Sequence, residues 1–206
     1  MTARKKNELP PSSWRLNPGY EIELTPVSAT VKVELGGEVV AQSKNAQVMY
    51  EIGHAPVFYI PRADVRGELL SDSDHHSHCP YKGDAGYLSV RAGGVTSENA
   101  IWYYDQPYDE MRHLRGLLGF YFERFDAWFL EGQRIEAPPE IQGRVNQQNN
   151  FAKLHPSLAA EWHAEKNRRI RPYEFSAESE TVVWWKNGEN EEWRESIRSR
   201  VERERG

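Results

Sequence analysis

Val31-Lys-Val-Glu-Leu-Gly-Gly-Glu-Val-Val40 decides the fold class. Val31, Val33 and Leu35 alternate with Lys32 and Glu34, which is the period of a strand with one buried face. Gly36-Gly37 then supplies a two-residue turn, and Val39-Val40 opens the return strand. Similar signals recur downstream. Val57 to Ile60 is a β-rich run closed by Pro61, and residues 63–70 read as one or two helical turns. Tyr87 to Val90, Gly93-Gly94 and Ala100 to Tyr104 read as a second hairpin with a wider loop. Leu117 to Phe122 and Ala127 to Leu130 read as strands, and Glu131-Gly132 turns the chain into Arg134-Ile135. Short strands with glycine turns predict a mainly β, antiparallel protein, sandwich or barrel-like.

The organisation expected from composition is a flexible N-terminus over residues 1–13, a β domain over 14–135, a polar linker over 136–150, and a small α/β unit over 151–206. Pro156 to Lys166 is helix-compatible, with Leu158, Ala159 and Trp162 on one face. Residues 192–205 carry opposite charges at helical spacing, such as Glu195 with Arg198, and read as a solvated helix or tail.

The 206 residues carry a formal net charge of −5, which weighs against a whole-protein electrostatic grip on nucleic acid or an anionic membrane. A single cysteine excludes an intramolecular disulfide framework and fits a reducing compartment. The basic N-terminus leads into no apolar segment, and no stretch reaches the roughly 20 apolar residues that span a bilayer. The expectation is a soluble cytoplasmic protein. Its seven tryptophans and ten tyrosines supply the ring area for a core despite modest aliphatic content.

Reactive groups concentrate in Asp72-Ser-Asp-His-His-Ser-His-Cys-Pro-Tyr-Lys-Gly-Asp84. Cys79 is a candidate nucleophile or redox thiol, since a neighbouring cation such as Lys82 lowers a thiol's pKa. The plain alternative is a small packed residue. Lys82, on a Pro/Gly-punctuated turn beside Tyr81 and Tyr87, is a candidate anion anchor or imine former, against a surface lysine. Along an extended chain His76 and His78 share one face while His75 and Cys79 lie opposite, so the segment alone cannot close a metal site. A site would need a distant ligand such as His54 or His113. Asp72 and Asp74 resemble a magnesium-binding pair, but no phosphate-cradling glycine turn precedes them. Trp102 and Tyr104 alternate on one strand and, with Tyr59 and Tyr87, are candidates for an aromatic ligand cage or simply core. Asp64 and Asp126 read as a general base or a structural cap.

Several phrases in order carry a family resemblance: Leu35-Gly-Gly-Glu-Val-Val-Ala41, Pro56-Val-Phe-Tyr-Ile-Pro-Arg-Ala-Asp-Val65, Asp74 to Gly83 with Tyr87, Asn99-Ala-Ile-Trp-Tyr-Tyr104 with Pro107, and Gly116 to Tyr121 with Asp126. Residues 31–135 resemble the family called domain of unknown function 427. The resemblance implies antiparallel sheets of the β-tent type, and a nucleotidyltransferase label attaches to parts of that family. Residues 151–206 resemble a zinc-ribbon domain through His155-Pro-Ser-Leu-Ala-Ala-Glu-Trp162, Asn167, Pro172, Val183-Trp-Trp-Lys186, Glu192-Trp193 and Arg200. Asn187 stands where that resemblance implies a cysteine, and Glu191 where it implies a histidine. No zinc is therefore expected in this unit, and Trp162, Trp184, Trp185 and Trp193 are expected to form its core or to dock on the first domain.

The expected function is a small-molecule pocket built from His76, Cys79, Lys82, Tyr87 and Trp102, with Tyr104 and Tyr59 beside it. It serves an enzyme using Cys79 and Lys82 or, as the alternative, a non-catalytic small-ligand or protein-interaction module, with a nucleotidyltransferase as the lesser alternative. No cofactor is assigned, and a protein partner is assigned to residues 151–206 as a third reading.

Overall fold

The computed structural model describes residues 9–15, 17, 19–139, 144–168 and 170–205. The chain divides into two compact units, one of residues 1–15, 23–49 and 56–140, the other of 16–22, 50–55 and 141–206. The expected flexible N-terminus and the linker fall partly outside the described residues.

The first unit is mainly β and its paired strands run antiparallel. In chain order they are β1 (Ile22–Pro26), β2 (Val31–Leu35), β3 (Glu38–Ser43), β4 (Gln47–Glu51), β5 (Val57–Pro61), β6 (Leu70–Cys79), β7 (Gly83–Ala92), β8 (Val95–Tyr103), β9 (Leu117–Phe120), β10 (Ala127–Leu130) and β11 (Gln133–Ile135). They form a seven-stranded sheet, β1-β4-β5-β9-β8-β7-β6, and a four-stranded sheet, β11-β10-β2-β3, with no closed barrel. The helical turns expected over residues 63–70 are two short 3-10 segments, Arg62–Asp64 and Gly67–Leu69.

Alternation along the strands builds the core. Val31, Val33 and Leu35 point inward from β2, while Lys32 and Glu34 pair with each other on the other face at 2.6 Å. They meet Phe58, Ile60, Leu88, Val90, Ile101, Leu118 and Phe120 of the larger sheet. Trp128 lies at the centre, 1% exposed, with Phe58 and Phe122 each stacked at 5.0 Å and 14°. Its indole N–H donates to the Phe122 carbonyl at 3.0 Å, which satisfies its polar edge.

Two glycine turns join the sheets at one end. Gly36-Gly37 connects β2 to β3 and Gly93-Gly94 connects β7 to β8, and all four residues have positive φ. The turns abut through backbone alone: a Cβ on Gly93 would lie 1.9 Å from the Gly36 carbonyl oxygen. Glu38 accepts from the Gly93 N–H at 3.0 Å and Asp126 accepts from the Gly36 N–H. Asp126 is thereby a turn brace. Asp64 accepts from the Ser43 hydroxyl at 2.6 Å.

The second unit contains α1 (Phe151–Leu154), α2 (Pro156–Ala159), α3 (Ala164–Asn167), the hairpin β12 (Val182–Lys186) and β13 (Glu192–Ser196), and α4 (Ile197–Arg205). The single helix expected from Pro156 to Lys166 is broken, because Trp162 makes a β-bridge to Trp185 that a continuous helix would forbid. The tail expected to be helical from 192 begins as a strand. Ser196 caps α4 by accepting the Ser199 N–H at 3.1 Å. Arg198 consequently pairs with Glu178 and Glu180 rather than with Glu195, which lies on β13. Trp162 and Trp185 sit in the core with Phe151, Val183, Ile197 and Val201, and Trp193 packs on its side. Trp184 stays outside it, under Lys166 at 4.2 Å and Arg194 at 5.7 Å.

Glu174 is buried in this unit, accepting from the Arg171 N–H at 3.0 Å and from the Asn17 amide at 3.4 Å. Desolvation pushes its carboxyl from 4.5 up to about 7. The folded state therefore holds this proton more tightly than the unfolded chain. The group's contribution is complete below about pH 4.5 and is lost as pH rises through 7. Between about pH 5 and 8, Glu174→Gln is expected to gain on the wild type in urea-unfolding free energy by of order 1 kcal/mol. A difference that does not change with pH would refute this.

Candidate functional site

The strand register sets out a row of rings. Tyr59 on β5 faces Gly119 on β9, Gly119 faces Trp102 on β8, Trp102 faces Tyr87 on β7, and Tyr87 faces Ser73 on β6. Directly opposed residues of antiparallel strands share a face. Phe58, Ile60, Leu118, Phe120, Ile101 and Leu88 take the other face into the core. The row thus belongs to the sheet face turned away from that core.

Gly119 makes the row possible. A Cβ there would lie 2.4 Å from the Trp102 indole, so the ring lies across the strand at the point that has no side chain. The Trp102 N–H donates to the Tyr59 hydroxyl at 2.9 Å, with the rings edge-on at 5.9 Å. Tyr121, two residues past Gly119, packs its ring 4.6 Å from Trp102. Burial, and next a hydrogen bond to Tyr87, push the Tyr121 phenol up to about 12. The Tyr87 oxygen lies 2.8 Å from the Ser77 hydroxyl. The His75 ring stands 4.4 Å from that of Tyr87. Indole, three phenols, a serine hydroxyl and an imidazole therefore form one connected patch.

Cys79 faces Gly83, and Ser77 faces Ala85, which places Cys79 on the same face as Tyr87, about 7 Å along the strand from Ser77. Cys79 is half-buried. A register shift between Ser73 and His76 separates the histidines. His75 joins the Tyr87 side, while His76 faces Gly86, whose other neighbour is Tyr103, on the opposite side. His78, on the His76 side, bonds Asp84 at 2.6 Å. His76 is thus not brought together with Cys79, Tyr87 and Trp102. Asp72 faces Leu88, and Asp74 falls within the register shift. Among the described residues no three His, Cys, Asp or Glu side chains gather as metal ligands.

Lys82 and Tyr81 are buried on their turn, 6% and 2% exposed, and Tyr104 is buried at 5%. The turn is covered by the chain's own N-terminal segment. The Ser13 N–H donates to the Pro80 carbonyl at 2.8 Å, the Trp14 indole to the Tyr81 carbonyl at 2.9 Å, and Tyr108 to the Pro10 carbonyl at 2.6 Å. Trp14 also packs edge-on against Tyr81 at 5.4 Å. Local sequence punctuation marks this turn as exposed, and only the long-range contact reveals its burial. Tyr121, Ser77 and His75 were not among the expected ligand-binding residues. The isolated Gly119 inside a β-rich run was the available signal, since such a glycine marks a close approach.

Residues 23–131, more than half of the chain, match the family described as "Domain of unknown function (DUF427)". The chain belongs to the DUF427 family. The patch from Tyr59 to Ser77, the Cys79 turn and the paired glycine turns all lie within that DUF427 region. Residues 158–206 match a family described as "Probable Treble clef zinc finger domain". No curated protein matches the chain. In the DUF427 protein no described helix is long and apolar enough to cross a membrane.

Proposed function

We propose that the DUF427 domain binds a small, flat, uncharged ligand at the patch of Trp102, Tyr121, Tyr87, Ser77 and His75. The observation that carries this reading is the hydrogen-bonded series Tyr121–Tyr87–Ser77 beside the Trp102 ring. Hydroxyls both donate and accept, and a phenol pushed up to about 12 stays neutral at every physiological pH. Such a lining favours a ligand that offers neutral donors and acceptors on one edge and a π-face for stacking. Nucleosides and other amide-edged heterocycles have this chemistry.

The test is a panel of nucleosides and heterocyclic amides, read by thermal shift and by quenching of tryptophan fluorescence. Tyr87→Phe, which deletes the middle hydroxyl, is expected to weaken binding about tenfold. Trp102→Ala is expected to abolish it, and Cys79→Ser to leave it unchanged. If no panel member binds, or if Tyr87→Phe binds as the wild type does, the reading fails.

A second reading is favoured by Cys79 sharing the face of Tyr87 and Ser77. Here the thiol is a nucleophile toward the ligand held beside it, and Lys82 serves through its turn. It expects rapid alkylation of Cys79 by iodoacetamide at neutral pH, slowed when a ligand is bound. A thiol that stays protected in the native protein would sink it.

A further inference from the structure

We infer that the C-terminal unit, although it matches a zinc-finger family, folds without metal, and that the Asn167 side-chain amide makes the join a metal would otherwise supply. A structural zinc site takes about four nitrogen or sulfur ligands. The matched residues 158–206 contain no cysteine and one histidine, His163. Both His163 ring nitrogens are engaged: Nε2 lies 2.8 Å from Glu192, and Nδ1 accepts from the Lys166 N–H at 3.4 Å. The donor set does not fit the ion.

What such an ion does in a small unit is tie separate segments that are too short to hold each other. Here the segments are residues 161–167, the β12–β13 hairpin, and α4. Asn167 is 8% exposed and pairs with the main chain of β12 as a strand would. Its Oδ1 accepts from the Trp184 N–H at 2.8 Å and its Nδ2 donates to the Trp184 carbonyl at 2.8 Å. The backbone follows: the His163 N–H donates to the Trp184 carbonyl at 3.1 Å, and the Lys186 N–H to the Glu161 carbonyl at 2.7 Å. Glu192 on β13 receives His163 and Lys166 together. Arg200 on α4 forks onto Glu161 with three contacts of 2.7–2.9 Å. Asn187 and Glu191 bond each other across the hairpin turn, with the Asn187 amide on Glu191 at 2.8 Å and the Glu191 N–H on Asn187 at 2.9 Å. Among these ties only Asn167 offers a donor and an acceptor to one main-chain residue, so neither Asp nor Ala can replace it.

The test uses the full chain. Elemental analysis of the purified protein is expected to find zinc far below one ion per chain. The thermal midpoint read by tryptophan fluorescence is expected not to move with EDTA or with added zinc. Asn167→Asp, equal in size but lacking the donor, is expected to lower that midpoint by several degrees with no rescue by zinc. Where Asn167→Ala or Asn167→Asp fails to fold, hydrogen exchange on the wild type decides instead: the Trp184 and Lys186 amides should be equally protected with and without EDTA. One zinc per chain with a midpoint or protection that collapses on chelation overturns the inference. So does an Asn167→Asp protein as stable as the wild type.

Discussion

Truncation of Trp128 to alanine is expected to remove about 3–5 kcal/mol of folding free energy. The indole is sandwiched between Phe58 of the seven-stranded sheet and Phe122, and Phe120 and Phe125 meet it edge-on at 5.8 Å. Its removal leaves a cavity walled by four rings that belong to strands or tight turns. Rings held that way cannot collapse inward, so the cavity term stays near its upper range. The loss also strands the Phe122 carbonyl that accepts from the indole. The measurement is urea unfolding of the full chain, and the thermal midpoint should fall by about 10 °C or more. A Trp128→Phe variant keeps most of the stack and should lose distinctly less. Equal losses from the two substitutions would show that the sandwich is not what stabilises the core.

Gly93→Ala is expected to be severely destabilising, while Gly94→Ala is not, although the two residues are neighbours on one turn. Both have positive φ, at 53° and 80°, so alanine meets a backbone cost of about 1–2 kcal/mol at either place. They differ in what surrounds them. Around Gly94 nothing lies within 4 Å of the added carbon, whereas at Gly93 that carbon would sit 1.9 Å from the Gly36 carbonyl oxygen and 2.8 Å from its Cα. Those are main-chain atoms and no flexible side chain can swing away. Relief requires that the β2–β3 and β7–β8 turns separate, which also breaks the bond from the Gly93 N–H to Glu38. Gly36→Ala, blocked by the Ala92 carbonyl at 2.5 Å, should behave like Gly93→Ala, and Gly37→Ala, with open space, like Gly94→Ala. Four midpoints from one denaturation series check this. If all four losses are alike, the close approach of the turns has no energetic weight.

The sequence is legible where one face is buried. β2 announces itself through Val31, Val33 and Leu35, and the Gly-Gly pairs mark both turns. β6 is illegible for the converse reason. It runs ten residues, Leu70–Cys79, of which only Leu70, Ser73 and Cys79 are even partly buried, so no apolar period appears in its Ser, Asp and His. The candidate site divides along the same line. Tyr59, Tyr87 and Trp102 can be read as rings on strands, and the register does align them. Ser77 meets Tyr87 through the β6–β7 pairing and Tyr121 reaches it from just past the end of β9, and neither contact leaves a local trace. Lys82 fails for another reason: its cover comes from residues near the N-terminus, 67 positions away in the case of Trp14 and Tyr81.

Among the described residues β6 is also the last strand of its sheet, with no strand paired along its outer side. A bare, regular edge would accept a strand from another copy of the chain and begin an aggregate. This edge is irregular, shifting register between Ser73 and His76, and it carries Asp72, Asp74, His75, His76 and His78. Both features spoil it as a template. The stretch richest in reactive side chains is therefore also a poor template for intermolecular zippering. Replacing its polar residues with β-branched ones would be expected to promote edge-to-edge association before it touched any chemistry.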